Sequence, residues 1–115
     1  MAFQLKRVRD PVEPDDGHRV LVDGMWPRGV RKQEAAVDEW LREIAPSRTL
    51  RQWFGHDPAR WEEFVRRYHA ELDAMPECVE RLAELGRDQT VTLCHDARDR
   101  KHNNAVALKA YLDHS

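Results

Sequence analysis

The sequence predicts an α/β fold: a small domain built on a mostly parallel sheet flanked by helices. Three observations carry that expectation. "HRVLVDG" (18–24) has a continuous aliphatic centre, as a strand buried on both faces of a parallel sheet does. "TVTLC" (90–94) is rich in β-branched residues and follows a helix stop. The carboxyl end then runs strand, polar loop "HDARDRKHNN" (95–104), helix "NAVALKAYLDH" (104–114), the local grammar of a ligand-binding α/β unit.

The remaining elements follow in order. "FQLKRVR" (3–9) alternates as a strand, and its basic residues place it toward an edge. "DPVEPDDG" (10–17) is a polar loop with two prolines, short enough that a hairpin and a pair of separated strands both stay open. In "QEAAVDEWLREIA" (33–45), Val37, Trp40, Leu41 and Ile44 match helical spacing. An α/β domain of this length needs a further strand, however, so "DEWLREIA" is expected to be extended. "APS" breaks that segment, and Ser47 is placed to cap a short helix through Leu50, Trp53 and Phe54.

Asp57 and Pro58 open a longer helix running to about Met75, with Trp61, Phe64, Val65, Tyr68, Leu72 and Met75 on its apolar face. Glu62 with Arg66 and Glu63 with Arg67 are i,i+4 pairs on the wet side, a solvated face and not a binding stripe. A second helix follows Pro76, carries Val79, Leu82 and Ala83, and is expected to stop at Gly86. The last helix turns Leu108, Tyr111 and Leu112 inward, with Asn103 or Asn104 as its cap.

A chain of 115 residues suits one domain over 1–115, long enough to bury a core without staples. Nineteen Lys and Arg against 21 Asp and Glu give a net charge of −2. That balance argues against coating nucleic acid broadly, though not against a local basic patch. Cys78 falls in a helix and Cys94 ends a strand, so a disulfide framework is not indicated and buried thiols are the ordinary reading. The first ten residues lack the apolar run of a signal peptide, and no segment is long enough to span a bilayer. The expected location is the cytoplasm, with no membrane partner.

The segment "VLVDGMWPRGVRK" (20–32) spends an aromatic, a rigid residue, a guanidinium and a flexible residue consecutively. If strands 20–22 and 91–94 are parallel neighbours, their carboxyl ends share one edge of the sheet, where open α/β sheets bind ligands. Asp23 and Arg28 then stand near His95, Asp96, Asp99, His102, Asn103 and Asn104. Pro27 restricts Trp26, Gly29 permits a tight exit, and Trp26 packs beneath as an anchor. Arg28 is left on a stiff loop facing the amino terminus of the last helix, an arrangement suited to phosphate or carboxylate. The competing structural reading has Arg28 bridging Asp23 or a carbonyl, and an asparagine simply capping the helix. One of the two amides must cap, which leaves the second for a function.

His95, Asp96, Asp99 and His102 are metal-ligand types, but one irregular loop without a recognised Cys or His spacing does not make a metal site. Neighbouring strand residues point to opposite faces, so His95 does not activate Cys94. His56 precedes a helix cap and reads as structural or orienting. A P-loop, a G-x-G-x-x-G turn, H-E-x-x-H and G-x-S-x-G are all missing from the sequence, and no cofactor is implied.

"RVLVDGMWPRGVRK", "WLREIAPSRTLRQWFGHDPARWEEFVRRYHAEL" and "VTLCHDARDRKHNNAVALKAYL" together resemble the YeaO-like family, a bacterial group classed as domain of unknown function 488. The resemblance covers nearly the whole chain and implies a small α/β domain without an established reaction. Gly24 departs from it, standing where relatives typically carry a second arginine. "CHDA" (94–97) replaces a more apolar "LYAA"-like stretch. The resemblance therefore carries Arg28, Asp99, His102 and Asn103 across, but not His95 or Asp96.

Three functions are ordered by these observations. First comes a small enzyme or binding domain for an anionic small molecule, nucleotide or phosphate-like. Asp23, Trp26, Arg28, Asn103 and Asn104 would line its site, with His102, Asp99 and His56 as candidate acid/base groups. Second is a nucleic-acid-binding or regulatory module using Arg28, Arg31, Lys32, Arg48 and Arg51, with Trp53 as a stacking face. Third is a ligandless scaffold, which leaves the Trp-Pro-Arg-Gly loop unexplained. The oligomeric state is not legible in the sequence.

Overall fold

The computed structural model describes residues 3–114. Four strands, β1 (Phe3–Arg7), β2 (His18–Leu21), β3 (Glu39–Trp40) and β4 (Val91–His95), form one sheet in the order β1-β4-β2-β3. Every neighbouring pair is parallel. In register, Leu93 sits between Leu5 of β1 and Val20 of β2. The pairing of strands 20–22 and 91–94 is thus adjacent and parallel, as the sequence predicts. The helices are α1 (Lys32–Ala35), α2 (Arg48–Phe54), α3 (Trp61–Asp73), α4 (Pro76–Asp88) and α5 (Asn104–Asp113).

Strand alternation divides the core between the two faces. Val20, Val22, Val91 and Leu93 face one way and pack with Leu50 of α2, Phe64, Tyr68 and Leu72 of α3, Leu82 of α4 and Leu108 of α5. The Tyr68 hydroxyl, buried among them, donates to the Ile44 carbonyl at 2.6 Å, so the ring enters the core without an unpaired polar atom. Leu21 and Cys94 face the other way, against Val8, Ala35, Trp26 and Trp40. Burial pushes the Cys94 thiol up to about 11, which makes it an inert packing group.

The connection from β1 to β2, open at the sequence level, is a crossover and not a hairpin, because β4 inserts between the two strands. Only residues 8–17 make it, with a single 3-10 turn at Pro14–Asp16. What shortens the crossover is Gly17. At φ +66° it passes so close to β4 that a Cβ would lie 2.2 Å from the Thr90 carbonyl oxygen. Asp16, 3% exposed, accepts from Lys6 Nζ at 3.0 Å and Arg19 Nη1 at 2.7 Å, and its carbonyl accepts from Thr92 Oγ1 at 2.6 Å. That charged knot ties the crossover beneath the sheet.

Several expected boundaries are corrected. Residues 33–45 are neither one helix nor one extended run. They divide into α1, the two-residue β3 and a 3-10 turn at Arg42–Ile44, because Ala36 adopts left-handed backbone (φ 49°) and ends α1 at once. The helix opened by Asp57 begins as a 3-10 turn at Pro58–Arg60 and becomes α3, ending at Asp73, short of Met75. Gly86 does not stop α4, which runs to Asp88: a glycine inside a helix costs only about 1 kcal/mol, and Leu82 and Leu85 hold this stretch on the core. On the wet face, Arg66 and Arg67 both converge on Glu63, and no pair forms from Glu62 to Arg66 among the described residues. β1 and β2 also end earlier than expected, although Val8 and Val22 still donate to the carbonyls of His95 and Cys94.

Candidate functional site

After β2 the chain passes to α1 on one face of the sheet, and after β4 it passes to α5 on the other. Adjacent strands whose connections diverge in this way leave a crevice between their carboxyl ends. A cleft of about 590 Å³ lies there. Its walls include Asp23, Trp26, Arg28, His56, His102, Asn103 and Asn104, so seven of the eight candidate residues meet in one place. Asp99 is the exception and stands behind His102.

The β2 loop is held by its own side chains. Asp23 accepts the Asp96 amide at 2.9 Å and Asn104 Nδ2 at 3.2 Å, and its carbonyl takes the Trp40 indole N–H at 2.7 Å. Burial raises the Asp23 carboxyl above the ordinary aspartate range, against those two donors. Trp26 donates to the Val30 carbonyl at 2.7 Å and meets Trp40 edge-on, with centroids 5.6 Å apart. Gly29 turns the chain at φ +76°. Between these fixed points Arg28 is exposed. Its carbonyl accepts from Arg9 at 2.8 Å, while its guanidinium has no partner among the described residues.

The β4 loop is built around Asp99. One oxygen accepts the amides of Lys101 and His102 at 2.9 and 3.0 Å, and the other receives His102 Nδ1 at 2.9 Å. These donors hold the Asp99 carboxyl below its usual range. Since the Asp99 carboxylate accepts, His102 donates to it through Nδ1; its Nε2 has no hydrogen-bonding partner among the described residues, and the ring is set edge-on against Trp61. Asn103 caps α5 through Val106. Asn104 donates to the Val22 carbonyl at 3.1 Å as well as to Asp23. The expectation of a spare second amide is therefore corrected, because the Asn104 nitrogen stitches α5 to the end of β2. Asp96 is engaged by Arg9 at 2.6 Å and lies 3.6 Å from Arg7.

The third wall comes from the stretch after β3. Phe54 stacks on Phe64 with centroids 4.3 Å apart, and His56 follows in left-handed backbone (φ 58°). Arg51 of α2, which the sequence groups with Arg28 only as part of a possible basic surface, lines the cleft beside it, exposed and without a hydrogen-bonding partner among the described residues. The available signal was "RTLRQWFGH": a helix capped by Ser47 must turn Leu50 and Phe54 to the core, which carries Arg51 to the flank beside them. Trp53 is not an open stacking face, since Arg67 lies 4.3 Å and Arg60 5.3 Å from its ring. Among the described residues no group of three or more His, Cys, Asp or Glu is placed to hold a metal ion, and no helix is long and apolar enough to cross a membrane.

Comparison with known proteins adds the following. A family model described as the inactive DUF488-N3 subclade matches residues 2–115. The Escherichia coli protein YeaO, itself uncharacterised, is 41% identical, with 97% of each chain covered. Uncharacterised proteins of Mycobacterium tuberculosis and Mycobacterium bovis are 38% identical over 96% of this chain and 92% of their own. No solved structure matches the chain significantly.

Proposed function

We propose a function for this chain, which belongs to the YeaO-like DUF488 family: it binds a small organic anion in the cleft at the carboxyl edge of the sheet, without turning it over. The observation that carries this reading is the idle guanidinium of Arg28. An arginine kept for structure spends its donors on protein groups, whereas here a stiffened loop presents a planar fork to a concavity. Trp26 and Asp23 serve by holding that loop, and Asn103 and Asn104 by fixing the start of α5 beside it.

Two facts favour binding over catalysis. The subclade carries the description inactive. Among the described residues lining the cleft there is no Ser, Thr, Cys, Tyr or Lys, and its two carboxylates, Asp23 and Asp96, are already engaged by the Asp96 amide, Asn104 and Arg9. A second reading rests on the Asp99–His102 pair, which has the geometry of an oriented general base, with His56 also lining the cleft. Under that reading His102→Gln abolishes turnover of a bound anion; under ours it changes affinity alone. The nucleic-acid alternative loses its stacking residue, because Trp53 is already covered by two arginines.

Thermal unfolding of the full chain with millimolar nucleoside monophosphates, sugar phosphates and benzoate tests the reading. A ligand at 100 times its Kd stabilises the folded state by about 2.7 kcal/mol. At least one of these anions should raise Tm. Arg28→Lys should weaken that effect while leaving the free protein's Tm in place, since the charge stays and the bidentate fork goes. No shift with any anion, or a variant destabilised by several kcal/mol without ligand, overturns the proposal.

A further inference from the structure

The acids and the bases of the cleft differ in how far the protein has already satisfied them. Asp23 is bonded to the Asp96 amide and to Asn104, and Asp96 is paired with Arg9. Arg28 and Arg51 have no such partners among the described residues. The cleft therefore offers two guanidiniums whose hydrogen-bond donors are unspent, with the Asp23 carboxyl close to one of them, although the chain as a whole is negative. Arg51 is set deep. Its Nη1 lies 3.6 Å from the point a Cβ on Gly24 would occupy, against the backbone that follows Asp23, and its charge favours the ionised form of that acid. Arg28 stands further along the same loop, so the two guanidiniums bracket the cleft from different elements.

A second observation concerns the body of the ligand. Met25 is 71% exposed and lies on the cleft wall next to Trp26, one of only two large apolar side chains that the described residues leave in water. An unbranched, polarisable thioether beside an indole makes an adaptable surface for a flat ring. Two idle guanidiniums match a dianion better than a lone carboxylate, and the planar fork fits phosphate oxygens in pairs.

We propose that the cleft takes a phosphate monoester joined to a planar ring, the chemistry of a nucleoside monophosphate, with Arg28 and Arg51 sharing the phosphate and Met25 and Trp26 against the ring. This rests on the anion-binding reading above and narrows it. The ring supplies apolar contact that inorganic phosphate lacks, and the second negative charge supplies what a carboxylate lacks.

Calorimetric titration of the full chain with adenosine 5′-monophosphate, adenosine, inorganic phosphate and benzoate tests it. The monophosphate should bind, and each of the other three should bind at least about tenfold more weakly, the loss expected when a charged hydrogen-bonding group goes unmatched. Arg51→Gln, at an exposed side chain without hydrogen-bonding partners among the described residues, should weaken the monophosphate by about tenfold or more, and Arg51→Lys should recover only part of that. Met25→Ser should weaken the monophosphate while leaving the affinity for inorganic phosphate unchanged. If benzoate binds as well as the monophosphate and Arg51→Gln changes neither, this inference falls while general anion binding stands. If none of the four binds, both fall.

Discussion

Asp16→Ala should destabilise the fold by about 3–5 kcal/mol, the cost of breaking a buried ion pair from one side. Burial alone would push the Asp16 carboxyl up, but Lys6, the Glu13 amide and Arg19 together hold it below its ordinary range. Removing the carboxylate leaves Arg19, 2% exposed, with the carbonyls of Ala35 and Ala36 as acceptors and without its counter-charge. It also frees the crossover that Gly17 brings against β4. Urea unfolding with an unchanged m-value measures the loss. A change below 1 kcal/mol would mean that water reaches Arg19 and that the crossover is held by its backbone alone. Replacing Asp16 and Arg19 together by apolar residues should recover much of the loss, because the pair's desolvation cost disappears along with its attraction.

Lowering the pH from 7 to about 4.5 should remove most of about 3 kcal/mol of stability through a single side chain, His95. It ends β4 at 2% exposure, and its Nδ1 accepts the Ala97 amide at 3.2 Å. Burial first, then the charges of Arg7 and Arg100, lower its pKa to about 4. Above the unfolded value of about 6.5 both states are neutral and the group contributes nothing to the pH dependence. Below it the unfolded chain takes up a proton that the folded protein refuses, so stability falls with pH until the folded value is reached. The lowered carboxyls of Asp10, Asp16 and Asp99 lose their contributions only below the ordinary aspartate range, outside this window. Asp23, raised by burial, acts in the opposite sense. His95→Gln keeps an acceptor for Ala97 and should flatten the profile between pH 7 and 5. A variant as pH-sensitive as the parent would place the titration elsewhere.

What the sequence revealed and what it hid have physical reasons. β2 and β4 were legible because a strand buried on both faces is aliphatic, and the expectation that they are parallel neighbours is met by the sheet order. α2, α3 and α5 were legible through caps and periodicity: Ser47, Asp57 and Asn103 all accept the amides their positions imply. β3 was obscured because it needs only Glu39 and Trp40, while the flanking apolar residues serve three different local structures. The crossover was hidden because its brevity depends on one glycine meeting one carbonyl, and no local pattern encodes a distance across 73 residues.

The cleft was half legible. Its β2 and β4 loops are read from strand ends, and they bring Arg28, His102, Asn103 and Asn104 together. Arg51, Phe54 and Phe64 enter from helices whose placement over the sheet follows from core packing, not from spacing along the chain. Asn104 shows the opposite error. Its amide looked spare because the partner that consumes it, the end of β2, is 82 positions away.

Amide NMR of the isotopically labelled protein, titrated with adenosine 5′-monophosphate and separately with benzoate, locates any bound anion on the fold. Saturable shifts should be confined to residues 23–28, 51–56 and 96–104, the three segments around the cleft, for at least one of the two ligands. Shifts on the outward face of α3 around Arg60, Arg66 and Arg67, or none with either ligand at millimolar concentration, would contradict anion binding at the sheet edge and leave Arg28 as a surface charge.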